Sequence, residues 1–371
     1  MLVSINNPFL QTWIFAAIFF VILLLTIRRR KITEWFPTSL TAELKGLAIL
    51  MIVISHIGYF LVNDHRFLWP LSIAAGVGVN LFLFLSGFGL AASQIQKNLT
   101  PGQFYKKRLL KIFTPFWLML IVFVALDLFI LKINYSWEFL GKAVIGIFTQ
   151  ADLYHDLNSP LWYLTFIIGY YLLFPLVFFK KCPWLSAIAL YAAGYLLVLW
   201  SPTQLDYVLH LYKVHIIAFP LGVLVAWGVT KLSNPEILER LSRGWRAIGY
   251  YLIMAGLLVL FVYANINSGI GESASKEELM SILAILTIVL VFIMKKREFR
   301  LLSLFGIYSY EIYLWHWPIM YRYDIFYSWL PAWLATILYL GLFLGVGWMA
   351  NRVVGLLNKP KKVVVIGEEG K

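Results

Sequence analysis

The sequence predicts an all-α fold: a polytopic membrane helix bundle of about eleven transmembrane helices. Three observations predict it. Of 371 residues, 61% are hydrophobic and only 13% charged, with a mean hydropathy of +0.80; soluble domains average ~45–50% apolar and ~25% charged. Apolar runs close to or above the ~18 residues needed to cross a bilayer recur along the whole chain. The basic residues gather in alternate connecting segments. This composition excludes a soluble globular enzyme, a disordered tail and a secreted disulfide scaffold, and the single Cys182 cannot form an internal disulfide.

The apolar runs lie at approximately 9–27, 45–63, 68–93, 110–131, 162–179, 184–200, 210–230, 247–264, 279–294, 303–321 and 332–351. A further apolar stretch, 139–150, is too short to span and reads as a half-helix at the outer surface. The first run is no cleavable signal: its cluster Arg28-Arg29-Arg30-Lys31 follows the apolar segment, and no small-residue cleavage site is present. Placing that cluster in the cytoplasm fixes every later loop. Cytoplasmic segments then hold 25 Lys and Arg against six outside, a strong positive-inside asymmetry. The expected topology is a multi-pass plasma (inner) membrane protein with its N-terminus outside and its C-terminus cytoplasmic. The net charge of +13 therefore reports sidedness, and no nucleic-acid partner is expected.

Polar residues inside a span cost about 2.5–3.5 kcal/mol when charged and ask for a partner or a task. In the second span Lys45 and His56 stand eleven positions apart, which returns them to nearly one helical face ~16 Å apart along the axis. That face suits an extended anionic ligand with its head at the cytoplasmic boundary and its reactive end at the imidazole; a snorkelling lysine and a packing histidine fit it too. In the third span, Asn80 lies level with His56 and is followed by Ser86, a pair suited to a site or to structural hydrogen bonds. Thr100-Pro101-Gly102-Gln103 reads as a capped helix start that launches Lys107, Arg108 and Lys111. Arg108 and Lys111 share a face where a phosphate could lie, although a positive-inside anchor explains them as well.

The tenth span, Ser309-Tyr310-Glu311-Ile312-Tyr313-Leu314-Trp315-His316-Trp317-Pro318, carries a polar aromatic stripe. Asp127 and Glu311 are candidate membrane carboxylates whose partners the sequence does not name. His210 and His215, at the start of the seventh span, read as snorkelling residues. Asp152, His155 and Asp156 have ligand-like spacing without a second cluster, so no metal site is expected.

Five of these elements, in order, resemble the acyltransferase-3 family of integral membrane O-acyltransferases. Lys45 and His56 keep the spacing of a family helix that begins with Arg and reaches His after ten residues. Asn80-Leu81-Phe82 with Ser86-Gly87-Phe88 follows, then Arg108, Lys111, Ile112, Pro115 and Trp117. Trp162-Tyr163-Leu164 with Pro175, and Ser309-Tyr310, Tyr313-Leu314, His316 and Pro318, complete the series. The resemblance covers residues 43 to about 350. It implies an extra N-terminal helix and basic linker over 1–42, a ten-helix acyltransferase core over 43–351 and a short basic tail over 352–371. Two departures stand out: Lys45 replaces Arg, losing bidentate recognition, and no acidic residue follows the Trp162 element.

The resemblance implies transfer of an acyl group, most often acetyl, from acyl-CoA to a hydroxyl of a surface glycan or its lipid-linked precursor. Lys45, Lys107, Arg108 and Lys111 would hold the donor phosphates. His56 would act as base or transient acyl acceptor, with Asn80 and Ser86 orienting it or holding the oxyanion. Trp162, Ser309, Tyr310, Tyr313 and His316 would line the acceptor side. A secreted esterase-like domain, frequent in the family, is not among these residues, so separate glycan-assembly proteins are possible partners alongside the bilayer. The competing reading is a secondary transporter or flippase for a lipid-linked or anionic solute. Neither matched repeats nor Gly/Pro-broken helices support it.

Overall fold

The computed structural model describes residues 3–29, 34–97, 99–152, 157–232, 246–268 and 273–358. The proposed C-terminal tail beyond 358, and His155 with Asp156, lie outside the described residues. Fourteen α-helices are described: α1 (Pro8–Leu25), α2 (Thr38–Ser55), α3 (Ala75–Lys97), α4 (Pro101–Leu126), α5 (Trp137–Val144), α6 (Trp162–Val177) and α7 (Pro183–Trp200), followed by α8 (Asp206–His215), α9 (Ala218–Lys231), α10 (Arg246–Ile266), α11 (Ala274–Met294), α12 (Arg300–Ile307), α13 (Ser309–Tyr323) and α14 (Ala332–Leu357). The chain is an all-α polytopic bundle with ten helical segments long and apolar enough to cross a membrane among the described residues.

The expected span 303–321 is the exception. It is built from two helices, α12 and α13, that meet at Tyr308. The break falls at the start of the polar run Tyr308-Ser309-Tyr310-Glu311, and close packing accompanies it. Gly306 lies so close to α2 that a Cβ there would meet the Ala42 carbonyl at 1.7 Å, and a Cβ on Gly46 would meet the Leu302 carbonyl at 1.8 Å. With α12 pressed onto α2, the break at Tyr308 lets α13 take its own direction. The short stretch after the fourth span forms α5, an eight-residue helix.

The centre of the bundle is formed by α2, α3 and the α8–α9 segment, whose apolar windows are 72%, 67% and 61% buried, against 11% for α1 and α10. Small residues again permit the close approach of α3 and α9: a Cβ on Gly87 would lie 2.1 Å from the Phe219 carbonyl, and one on Gly222 would lie 2.0 Å from that of Phe84. α1 packs on the periphery against α14. It is fixed there by Thr12 Oγ1, which accepts from the Leu68 amide at 2.8 Å, and by the buried Phe15.

At the end of the bundle where α2, α12 and α13 originate, two three-residue strands pair antiparallel: β1 (Ile27–Arg29) and β2 (Arg297–Phe299). Arg28 clasps Glu298 through two hydrogen bonds of 3.0 and 2.7 Å, and Ser303 Oγ donates to the same carboxylate. Buried Glu43 pairs with Lys295 and accepts the Phe299 amide. The capped start of α4 forms as the sequence indicates, with Thr100 and Gln103 exchanging reciprocal hydrogen bonds. This is the basic end of the molecule.

Candidate active site

A cavity of about 590 Å³ opens among α2, α3, α4, α6, α8 and α13. Lys45, Arg108 and Lys111 line it toward the basic end. They come from two helices, α2 and α4, and Arg108 Nε is buried without a partner among the described residues. The shared face of Arg108 and Lys111 is real. Lys107, one position earlier, is exposed and contributes nothing to the lining.

Above the cations the wall is made of hydroxyl groups, each tied back to the scaffold. Tyr171 donates to Ser86 Oγ at 3.3 Å, Tyr310 to the Ile112 carbonyl at 2.9 Å, and Tyr313 to the Pro160 carbonyl at 2.7 Å. Ser309 and Trp162 also reach the cavity, so five expected site residues on α3, α6 and α13 share one space with the cations. The lining continues past His56 to Tyr59, Ser72, Ser268 and Glu277 near the opposite end.

His56 caps the C-terminus of α2, where the chain widens into a π-helical turn over His56–Leu61. Such turns re-aim side chains and recur at functional sites. Its Nδ1 lies 2.7 Å from His316 Nε2, and the rings are 4° from parallel. His316 Nδ1 in turn lies 3.0 and 2.9 Å from the carbonyls of Ile312 and Tyr313. A carbonyl only accepts, so His316 Nδ1 carries the hydrogen and its Nε2 offers a lone pair. His56 Nδ1 must then donate, which leaves His56 Nε2 as the basic nitrogen. It takes no protein hydrogen bond among the described residues. His316 is fully buried and does not line the cavity, which corrects its expected place on the acceptor side: it stands behind His56.

A second correction concerns Asn80. It stands 17 residues from the end of α3, as His56 stands 18 from the start of α2. Its side chain turns to His215 instead of His56, with Oδ1 2.9 Å from His215 Nδ1. His215 is not a snorkelling residue; it is 4% exposed, lines the cavity and stacks on Trp162 at 5.6 Å between centroids. The Ile216–Ile217 turn between α8 and α9 carries it inward. A histidine followed by a helix restart and Pro220 was the available sequence signal, and it is weak.

The membrane carboxylates have structural partners. Asp127 is paired with Arg322 and accepts from Tyr135, while Glu311 accepts from Asn351 at 2.8 Å. No three His, Cys, Asp or Glu residues converge as a metal site among the described residues.

A cavity with cations toward one end and an oriented imidazole further along, on helices carrying the expected motifs, is the setting in which the comparison with known families decides. The family model described as an acyltransferase domain (Acyl_transf_3) matches residues 44–352. The chain belongs to the acyltransferase-3 family. Searches of curated proteins and of solved structures return no match. The matched range of this membrane acyltransferase begins one residue before Lys45 and contains every cavity residue named above, together with Asn80 and His316.

Proposed function

We propose that this membrane acyltransferase moves an acyl group, acetyl in the simplest case, from cytoplasmic acyl-CoA to a hydroxyl of a surface glycan or its lipid-linked precursor. The observation that carries the reading is the oriented His56–His316 pair, set in the wall of a cavity whose basic end holds Lys45, Arg108 and Lys111. By the positive-inside asymmetry the basic end faces the cytoplasm. There the three cations fit the donor's phosphates, and the unpartnered Arg108 Nε supplies a donor already stripped of water.

The thioester arm extends from the cations along the hydroxyl-lined wall to His56. His56 Nε2 removes the proton from the acceptor hydroxyl as that oxygen attacks the thioester carbonyl. The carbon–sulfur bond breaks, the new ester forms, and the thiolate leaves with the proton His56 took. The positive charge that develops on His56 strengthens its bond to His316 Nε2, while the two carbonyls hold His316 in the accepting tautomer. A transporter reading would need titrating membrane carboxylates; Asp127 and Glu311 are instead tied to Arg322 and Asn351.

Cells carrying His56→Ala should lose O-acyl groups from surface glycans, read by mass spectrometry, while the protein still inserts. Retained acylation rejects the assignment.

A further inference from the structure

His215 is a buried imidazole that the transfer step leaves unused. Asn80 Oδ1 faces its Nδ1, and an amide oxygen only accepts, so Nδ1 carries the hydrogen and Nε2 keeps its lone pair. Among the described residues Nε2 takes no hydrogen bond, although the residue is only 4% exposed and lies on the cavity wall. The ring cannot swing to find another partner, because Trp162 stacks on one face at 16° between planes and Asn80, 1% exposed, pins the edge.

This repeats the logic of the reactive pair. In each case an imidazole on the wall is fixed by a polar residue behind it on a facing helix: His316 behind His56, Asn80 behind His215. His56 and His215 line the same cavity as Trp162, the residue on which His215 stacks. The two lone pairs therefore border one space. Beside His215 the wall is Gly76, where an added Cβ would stand 4.0 Å from the His215 ring and from Glu277, leaving room for a ligand.

We propose that His215 is an acceptor-binding residue: its Nε2 takes a hydrogen bond from a second hydroxyl of the acceptor, while His56 receives the hydroxyl to be acylated. The acceptor class is then a polyol with at least two hydroxyls, such as a sugar ring, and a lone alcohol is a poor substrate. This deepens the acyl-transfer reading and rests on it.

The test separates the two. Purified full-length protein in nanodiscs is given acetyl-CoA with water alone, and CoA release is measured. In parallel, expressing cells are fed deuterated acetate and their glycans and glycolipids are read by mass spectrometry. His215→Ala and Asn80→Leu should each lower labelled product tenfold or more, a larger loss than either shows in CoA release to water. The double variant should fall no further than either single one, because the two residues act as a unit. Asn80→Asp, which still accepts from Nδ1, should restore transfer. Gly76→Val, which fills the space beside the His215 ring without removing either partner of the pair, should also lower transfer. His215→Ala with unchanged labelling, or with both readouts lowered equally, overturns the proposal. Absence of both CoA release and label in wild type would instead reject the acyl-transfer reading, and this inference with it.

Discussion

The rings of His56 and His316 lie nearly parallel, 5.0 Å between centroids, and one hydrogen bond joins α2 to α13 through them. The residues are 260 positions apart in sequence, and the bond between them sets which nitrogen of His56 faces the cavity.

His316→Leu removes the acceptor that holds His56 in the productive tautomer. It should lower kcat by about 10²–10⁴-fold, the range of a misplaced general base, with little change in KM for acyl-CoA. His316→Gln, whose amide oxygen still accepts, should retain more. Steady-state kinetics of the purified variants checks both, and an unchanged kcat in His316→Leu contradicts the positioning role.

Lys45→Ala removes one charged contact to the donor, worth about 1.5–3 kcal/mol for a hydrogen bond to a charged group. KM for acyl-CoA should rise about tenfold or more while kcat changes little, and Lys45→Arg should behave as wild type. KM in the parent protein should also rise with ionic strength, as expected for a cationic entrance. Lys107→Ala, on the exposed side of α4, should leave KM unchanged.

Gly87→Ala places a methyl group 2.1 Å from the Phe219 carbonyl at the α3–α9 crossing. Backbone cannot yield as a flexible side chain would, so the helices must separate, at a cost of about 1–3 kcal/mol. Thermal unfolding in detergent should show a lower midpoint. Gly89→Ala, with nothing within 4 Å of its Cβ, is the control and should match wild type.

The strand clasp at the basic end gives a pH dependence. The hydrogen bond and charge of Arg28, helped by Ser303, hold the Glu298 carboxyl below its ordinary range. A depressed carboxylate stabilises the fold above its unfolded pKa, about 4.3, and that stabilisation is lost as pH falls through the folded value. Glu298→Gln should therefore be less stable than wild type at pH 7, and the difference should shrink below about pH 4. A difference independent of pH contradicts the linkage.

Much of the architecture is legible because it is one-dimensional. Apolar length marks the spans, basic residues mark one set of ends, and Thr100 with Gln103 marks a helix start that forms as expected. Asn80 and His56 also stand at similar counts, 17 and 18 residues, from the ends of α3 and α2. What residue spacing cannot supply is which neighbour a side chain meets. Asn80 turns to His215 because α3 packs against α8 and α9, and His316 turns to His56 because α13 restarts after Tyr308. Both orientations follow from close helix approaches at Gly87, Gly222, Gly46 and Gly306, contacts between segments more than 100 residues apart. His215, next to Lys213 and His210 near a span end, looks interfacial until the turn at Ile216–Ile217 brings it inside.

The central claim is that His56 Nε2 is the base for acyl transfer. Its most direct test is CoA release from acetyl-CoA by purified wild type and His56→Ala with surface glycan supplied as the acceptor, and with matched thermal unfolding midpoints to show that both are folded. The account predicts steady release by wild type and a loss of at least about 10²-fold in the variant. Equal release by the two folded proteins would contradict it.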